Sequence, residues 1–273
     1  MRLKLGYPVE DALPQLGAAL ESKGSAVLCA APGAGKTTLV PPFMLDAPFL
    51  GREGRMLILE PRRIAARAAA CRVAQLLGER VGGTVGYRTR LDSKIGPSTR
   101  IEFLTEGILT RMLQDAPSLE GVKLLVFDEF HERSVEADLG LALALDAKSA
   151  LREDLRILVM SATLDAECIS SLLGDAPVVS SEGRLFEVET HFLGRRRDLR
   201  LEDDMARAIN RALASGAGDI LAFLPGEGEI RRTMSALGRI DGCAVLPLYG
   251  NLSADAQDAA LQPDSNGRRK IIL

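Results

Sequence analysis

Two short runs, Leu124-Leu125-Val126-Phe127 and Ile157-Leu158-Val159-Met160, carry no polar residue on either face. A strand alternates its side chains between faces, so such runs are stable only where both faces of a sheet are covered. Parallel strands with helices packed above and below meet that condition. Similar runs recur along the chain at Ser25–Ala31, Arg55–Glu60, Thr84–Tyr87, Ile101–Leu104, Lys123–Phe127, Arg156–Ser161 and Pro177–Val179. Between them, Thr38–Leu45, Arg63–Leu77, Thr105–Leu113, Val135–Leu145 and Ala166–Leu173 have helical periodicity. The alternation specifies an α/β fold with a doubly wound parallel sheet.

The pattern pauses at Ser-Ser-Glu-Gly-Arg, residues 180–184, which reads as a linker. It restarts with a strand at Glu187–Phe192, a helix at Met205–Ala214, a strand at Ile220–Leu224, a helix at Glu229–Leu237, a strand at Cys243–Leu248 and a helix at Ala254–Leu261. Two domains are expected, residues 1–180 and 185–273. The last residues, Arg268-Arg269-Lys270-Ile271-Ile272-Leu273, read as the start of another strand. A buried parallel strand is not expected to end a domain, so the second domain is expected to be cut short. An unpaired apolar edge is expected near Ile271–Leu273.

A formal net charge of −3 argues against a strongly basic nucleic-acid-binding module, although 27 of the 34 basic residues are arginine. Guanidinium forks suit phosphate, and a GC-rich genome accounts for the bias equally well. With no tryptophan and 4% aromatics, a base-stacking platform is not expected. No apolar stretch is long enough to span a membrane. Glu10 and Asp11 arrive before any leader-like apolar run. Four scattered cysteines, without metal-ligand spacing, read as reduced thiols. A cytoplasmic location is expected.

The first chemistry-bearing segment follows the strand at Ser25–Ala31. Pro32-Gly33-Ala34-Gly35-Lys36-Thr37-Thr38 leads straight into a helix. Glycines at this junction let backbone N–H groups curl around phosphate, Lys36 supplies positive charge, and Thr37 offers a hydroxyl to Mg²⁺. The general pattern begins with glycine, where this chain has Ala30. The second segment, Asp128-Glu129-Phe130-His131, ends the apolar strand Lys123–Phe127. Acids at the carboxyl end of a buried strand sit where such sheets bind ligands. Asp128 suits Mg²⁺, and Glu129 suits the water that attacks a γ-phosphate.

Together, Pro32–Thr38, Asp128-Glu129-Phe130-His131-Glu132-Arg133-Ser134 and Ser161-Ala162-Thr163 resemble the DEAH-box helicases of superfamily 2. Glu60-Pro61-Arg62-Arg63, Gly86-Tyr87-Arg88-Thr89-Arg90 and Thr105-Glu106-Gly107-Ile108-Leu109 are similar to further family motifs in the same order. So are residues 220–230 and Pro247-Leu248-Tyr249-Gly250. Within the family, the phosphate loop and the Asp-Glu-Phe-His segment are most similar to the bacterial HrpB type.

The resemblance implies two RecA-like domains, ATP bound between them, and single-stranded nucleic acid crossing both. It implies phosphate and nucleotide contacts at Gly33, Ala34, Gly35, Lys36, Thr37 and Thr38, with Mg²⁺ at Thr37 and Asp128. Asp128, Glu129 and Lys36 are then the hydrolytic residues, while His131, Ser161 and Thr163 couple hydrolysis to domain movement. Arg62, Arg63, Thr105 and Gly107 match positions facing the nucleic-acid backbone. Arg72 matches an arginine that stacks on adenine, and the position aligned with its aromatic partner holds Leu261. His191 reads as a packed or surface residue, and Arg195-Arg196-Arg197 as a solvated loop.

The implied activity is an ATP-driven helicase or translocase acting on RNA, with DNA as the alternative substrate. A nucleotide-dependent remodelling switch that does not unwind a duplex is the competing reading. The family's Ala-Thr-Asn-x-Ala-Glu-Thr and Gln-x-x-Gly-Arg-x-Gly-Arg motifs do not occur in these 273 residues. The second carries trans-cleft arginine fingers, worth roughly 10³–10⁵ in rate. The sequence is therefore expected to be the N-terminal part of a larger helicase and nearly inactive alone.

Overall fold

The two doubly apolar runs lie side by side. In the computed structural model, which describes residues 5–162, 166–183, 187–196 and 198–273, their strands pair in parallel, with Leu125 opposite Ile157 and Phe127 opposite Val159. Alternate residues feed two separate cores. Leu124, Val126, Leu158 and Met160 pack with Leu16, Leu20 and Val40 on one side of the sheet. Leu125, Phe127, Ile157 and Val159 pack with Leu109, Leu141 and Ile169 on the other. Burying each such side chain is worth about 1.5–3 kcal/mol relative to leaving it in water. That gain holds these two strands near the middle of the sheet.

The chain divides into two units, residues 1–186 and 187–273. The first runs through a 3₁₀ turn (Pro8–Asp11), α1 (Leu13–Lys23), β1 (Ser25–Ala30), α2 (Lys36–Met44), β2 (Arg55–Glu60) and α3 (Arg63–Leu76). It continues with β3 (Val85–Arg88), β4 (Ser93–Lys94), β5 (Ile101–Thr105), α4 (Glu106–Asp115) and β6 (Val122–Phe127). A 3₁₀ turn (Phe130–Glu132), α5 (Val135–Ala150), β7 (Arg156–Ser161), α6 (Ala166–Leu172) and β8 (Val178–Ser181) complete it. The sheet order is β4-β3-β5-β2-β6-β7-β1-β8. Among the described residues, only the short β4 runs antiparallel to its neighbour. The carboxyl ends of β1, β2, β6 and β7 therefore open on one edge, where the phosphate loop, Pro61-Arg62, Asp128 and Ser161 are collected.

The second unit contains α7 (Leu201–Ser215), β9 (Ile220–Leu221), α8 (Glu227–Leu237), β10 (Cys243–Leu246), α9 (Ala254–Leu261) and β11 (Arg269–Ile272). Its parallel sheet has the order β10-β11-β9. Two expectations fail here. The strand expected at Glu187–Phe192 does not form: residues 187–196 have no regular secondary structure. Val188 and Phe192 are exposed. Their period-two spacing fits a half-buried strand, but no described strand pairs with them. The unpaired edge expected near Ile271–Leu273 is also absent. The crossover through α9 returns β11 between its neighbours, with Val245 and Ile220 on either side of Ile271. Ile271 and Leu273 are buried in the small core of this unit. Lys270 is buried as well, its ammonium donating to the Ala260 and Gln262 carbonyls at 2.8 Å each.

No helix among the described residues is long and apolar enough to cross a membrane.

Candidate functional site

The turn from β1 into α2 requires left-handed backbone at two points, Gly33 (φ 77°) and Gly35 (φ 90°). The Gly35 position is doubly constrained, because a Cβ built there would lie 2.8 Å from Cγ of Tyr7. The N-terminal segment thus lies directly against the loop. Val9 N–H donates to the Ala34 carbonyl at 3.1 Å, and the Glu10 carboxylate accepts from Leu5 and Tyr7 N–H at 2.7 and 2.9 Å. Lys36 opens α2, and its buried ammonium donates to the Ala30 carbonyl at 2.7 Å and the Ala31 carbonyl at 3.4 Å. Thr38 N–H donates to the Gly35 carbonyl at 3.2 Å.

The neighbouring strand ends supply the acids. The Thr37 hydroxyl donates to Asp128 Oδ2, and Asp128 Oδ1 accepts Glu129 N–H at 2.8 Å. Asp128 N–H is fixed by the Leu59 carbonyl at 3.0 Å, continuing the β2–β6 register beyond the strands. That register also brings in Glu60, a residue the sequence reading passed over except as part of a motif. Glu60 is buried at the end of β2. Burial, and then the adjacent Asp128 carboxyl, push Glu60 up to about 9. Burial also raises Asp128 above the ordinary carboxylate range, against the lowering effect of the Thr37 hydroxyl. In sequence Glu60 is only an acid ending an apolar strand; the pairing of β2 with β6 is what places it beside Asp128.

His131 connects this cluster to β7. Its Nδ1 accepts the Ala162 N–H at 3.3 Å and lies 3.4 Å from Glu129 Oε2. Ser161 is fully buried at the end of β7. Thr163 lies outside the described residues.

A groove of about 930 Å³ opens beside these strand ends. Thr105 and Gly107, at the start of α4, line it together with Pro61, Arg88, Thr89, Arg90 and Arg111. Arg88 Nε is 2.8 Å from the buried Glu102 carboxylate, which fixes its orientation. Arg62 precedes α3 and pairs with Glu132 at 3.0 Å, while Arg63 is the first residue of that helix. Arg88, Arg90 and Arg111 add cationic groups that had not been singled out as contacts. Arg72 is exposed on α3, and none of the hydrogen bonds above reaches it. In the second unit, Leu261 is partly exposed and His191 pairs with Glu189 at 3.0 Å. Arg196 pairs locally with Asp198, as a solvated loop would, and Arg197 lies outside the described residues.

Known proteins are similar to this chain in sequence and in fold. The DEAD/DEAH box helicase family pattern matches residues 11–171. The chain is 48% identical over 268 residues to the ATP-dependent RNA helicase HrpB of Escherichia coli, covering 97% of this chain and 33% of that protein. It is 34% identical over 284 residues to the probable ATP-dependent RNA helicase DHR2 of Saccharomyces cerevisiae, covering 100% of this chain and 39% of that protein. A crystal structure of E. coli DEAH/RHA helicase HrpB superimposes with a TM-score of 0.89 at 47% identity, covering 98% of this chain and 34% of that one. The chain belongs to the DEAD/DEAH box helicase family and has its RecA-like α/β fold. It spans about a third of the length of the E. coli relative.

Proposed function

We propose that this chain is the ATP-binding core of an ATP-dependent RNA helicase or translocase, in which hydrolysis drives movement along single-stranded nucleic acid. One observation carries the reading: the Thr37 hydroxyl and the Asp128 carboxylate meet at the mouth of a glycine loop that also holds Lys36. The RNA helicase names of the relatives support RNA over DNA. In this reading residues 1–180 form the first RecA-like domain and 185–273 part of a second, in a cytoplasmic protein.

The donors fit Mg²⁺. Hydroxyl and carboxylate oxygens are hard ligands, and Mg²⁺ is usually held by one or two protein groups together with phosphates and water. Among the described residues, Asp128 has Glu60 and Glu129 as acidic neighbours and Lys36 as a cationic one, an excess of acid that a divalent cation would relieve. When bound, Mg²⁺ would supply charge neutralisation at the phosphates.

The chain's own residues do the rest. The backbone of Gly33–Thr38 cradles phosphate, Lys36 moves from its loop carbonyls to phosphate oxygens, and Glu129 orients and deprotonates water. His131, bridging Glu129 and Ala162, and Ser161 with Thr163 pass the state of the site toward the rest of the protein. Arg62, Arg63, Thr105 and Gly107 hold the nucleic-acid backbone without reading sequence. Arg72 packs on adenine from one side.

The test, made on a longer protein that carries this chain together with the arginine-finger motif, is ATP hydrolysis with single-stranded RNA, single-stranded DNA or neither, paired with strand displacement. RNA-stimulated hydrolysis with displacement supports the reading. Hydrolysis indifferent to nucleic acid contradicts it.

A further inference from the structure

The segment after the two acids is pinned in an unusual backbone shape. Glu129 and Arg133 both have φ 48°, a left-handed geometry that residues other than glycine seldom adopt. Between them the 3₁₀ turn Phe130–Glu132 buries Phe130 against Phe127, ring centroids 6.1 Å apart. Glu132 reaches the other way, to Arg62 Nη2 at 3.0 Å. Two residues on, the Ser134 hydroxyl accepts Ala137 N–H at 2.9 Å to cap α5 and donates to Glu106 Oε2 at 2.6 Å. The turn that carries Glu129 and His131 is therefore tied to both segments assigned to the nucleic-acid backbone.

The two ties differ in kind. Ser134–Glu106 is partly buried and anchored by a helix cap, so it acts as a fixed strut. Arg62 is 73% exposed and Glu132 is 35% exposed. An ion pair in that setting is weak and screened. A phosphate offers the same guanidinium a stronger, two-pronged partner.

We infer that the Arg62–Glu132 pair is an exchangeable latch: Arg62 holds Glu132 when no strand is bound and leaves it for a backbone phosphate when a strand binds, releasing the turn that carries Glu129 and His131. The inference rests on the nucleic-acid reading above. Arg62 and Glu132 are then positioning residues for hydrolysis, with Arg62 serving both sites by turns.

A double-mutant cycle tests this. Affinity for a fluorescent single-stranded oligouridylate is measured for the chain, Glu132→Gln, Arg62→Ala and the double variant. Glu132→Gln frees Arg62, so binding tightens about two- to fivefold, the range of an exposed ion pair. The gain disappears in the Arg62→Ala background. Glu132→Asp, which keeps the charge, binds as the unaltered chain does. In a longer protein that carries this chain together with the arginine-finger motif, single-turnover hydrolysis without RNA also rises in Glu132→Gln, so that RNA stimulates it less. An equal gain in both backgrounds, or no gain, overturns the latch while leaving the functional reading intact. Failure of the unaltered chain to bind the RNA overturns both.

Discussion

The Thr37 hydroxyl donates to the carboxylate of Asp128, across a separation of 91 residues in the chain. The contact exists because β1 and β6 run parallel in one sheet with only β7 between them, so their carboxyl ends emerge on the same edge. The glycine loop and the acids, separate in sequence, thereby stand side by side.

Glu129 is the candidate for directing the attacking water. Glu129→Gln keeps the shape of the side chain and removes its charge and basicity. Mg–ATP affinity should stay within about twofold, while single-turnover hydrolysis slows by roughly 10²-fold or more. Rapid-quench measurement on a longer protein that carries this chain together with the arginine-finger motif, with protein in excess over ATP, separates the two. Loss of affinity in step with rate would mark Glu129 as a structural residue.

The contact between Tyr7 and Gly35 makes a steric prediction. Gly35→Ala places a methyl group 2.8 Å from the Tyr7 ring on a backbone with φ 90°. Strain of this kind costs about 1–3 kcal/mol. Thermal unfolding should show a drop in Tm of several degrees. Adding Tyr7→Ala should restore part of the loss, whereas strictly additive effects would show that the ring does not confine the loop.

Asp154 offers a pH-dependent test away from the site. Its carboxylate accepts from Arg152 Nε at 2.7 Å and Lys123 Nζ at 2.6 Å. The hydrogen bond from Arg152, and then that from Lys123, hold it well below the usual carboxylate range. A depressed folded pKa gives stability that is present above the unfolded value and lost as pH falls through the folded one. With Asp154 43% exposed, the contribution is about 1 kcal/mol or less. In urea melts, Asp154→Asn should be the less stable at pH 6, with the gap narrowing from pH 4 downward. A gap that widens in acid would contradict this.

The parallel sheet was legible because Leu124–Phe127 and Ile157–Met160 are apolar on both faces, a pattern that requires two covered sides. The loop and the acids were legible because glycine, lysine and aspartate stand at the ends of such strands. Glu60 was not, because its importance comes from the β2–β6 register rather than from its neighbours in the chain. The pairs Arg62–Glu132 and Ser134–Glu106 were hidden for the same reason: each joins different strand ends. The second unit misled where pattern and pairing part. Glu187–Phe192 alternates like a strand yet pairs with no described strand, and β11 reads as an edge yet inserts between β9 and β10.

The central claim is that Lys36, Thr37 and Asp128 form one site for a magnesium nucleotide. Isothermal titration of the chain and its Lys36→Ala variant with a non-hydrolysable Mg–ATP analogue tests it most directly. A charge-assisted bond to phosphate is worth about 1.5–3 kcal/mol, so Lys36→Ala should weaken binding by roughly tenfold to a hundredfold. Affinity for the chain that disappears on chelating Mg²⁺, and that falls by this factor in the variant, is the predicted result. Equal affinity in both proteins would contradict the account.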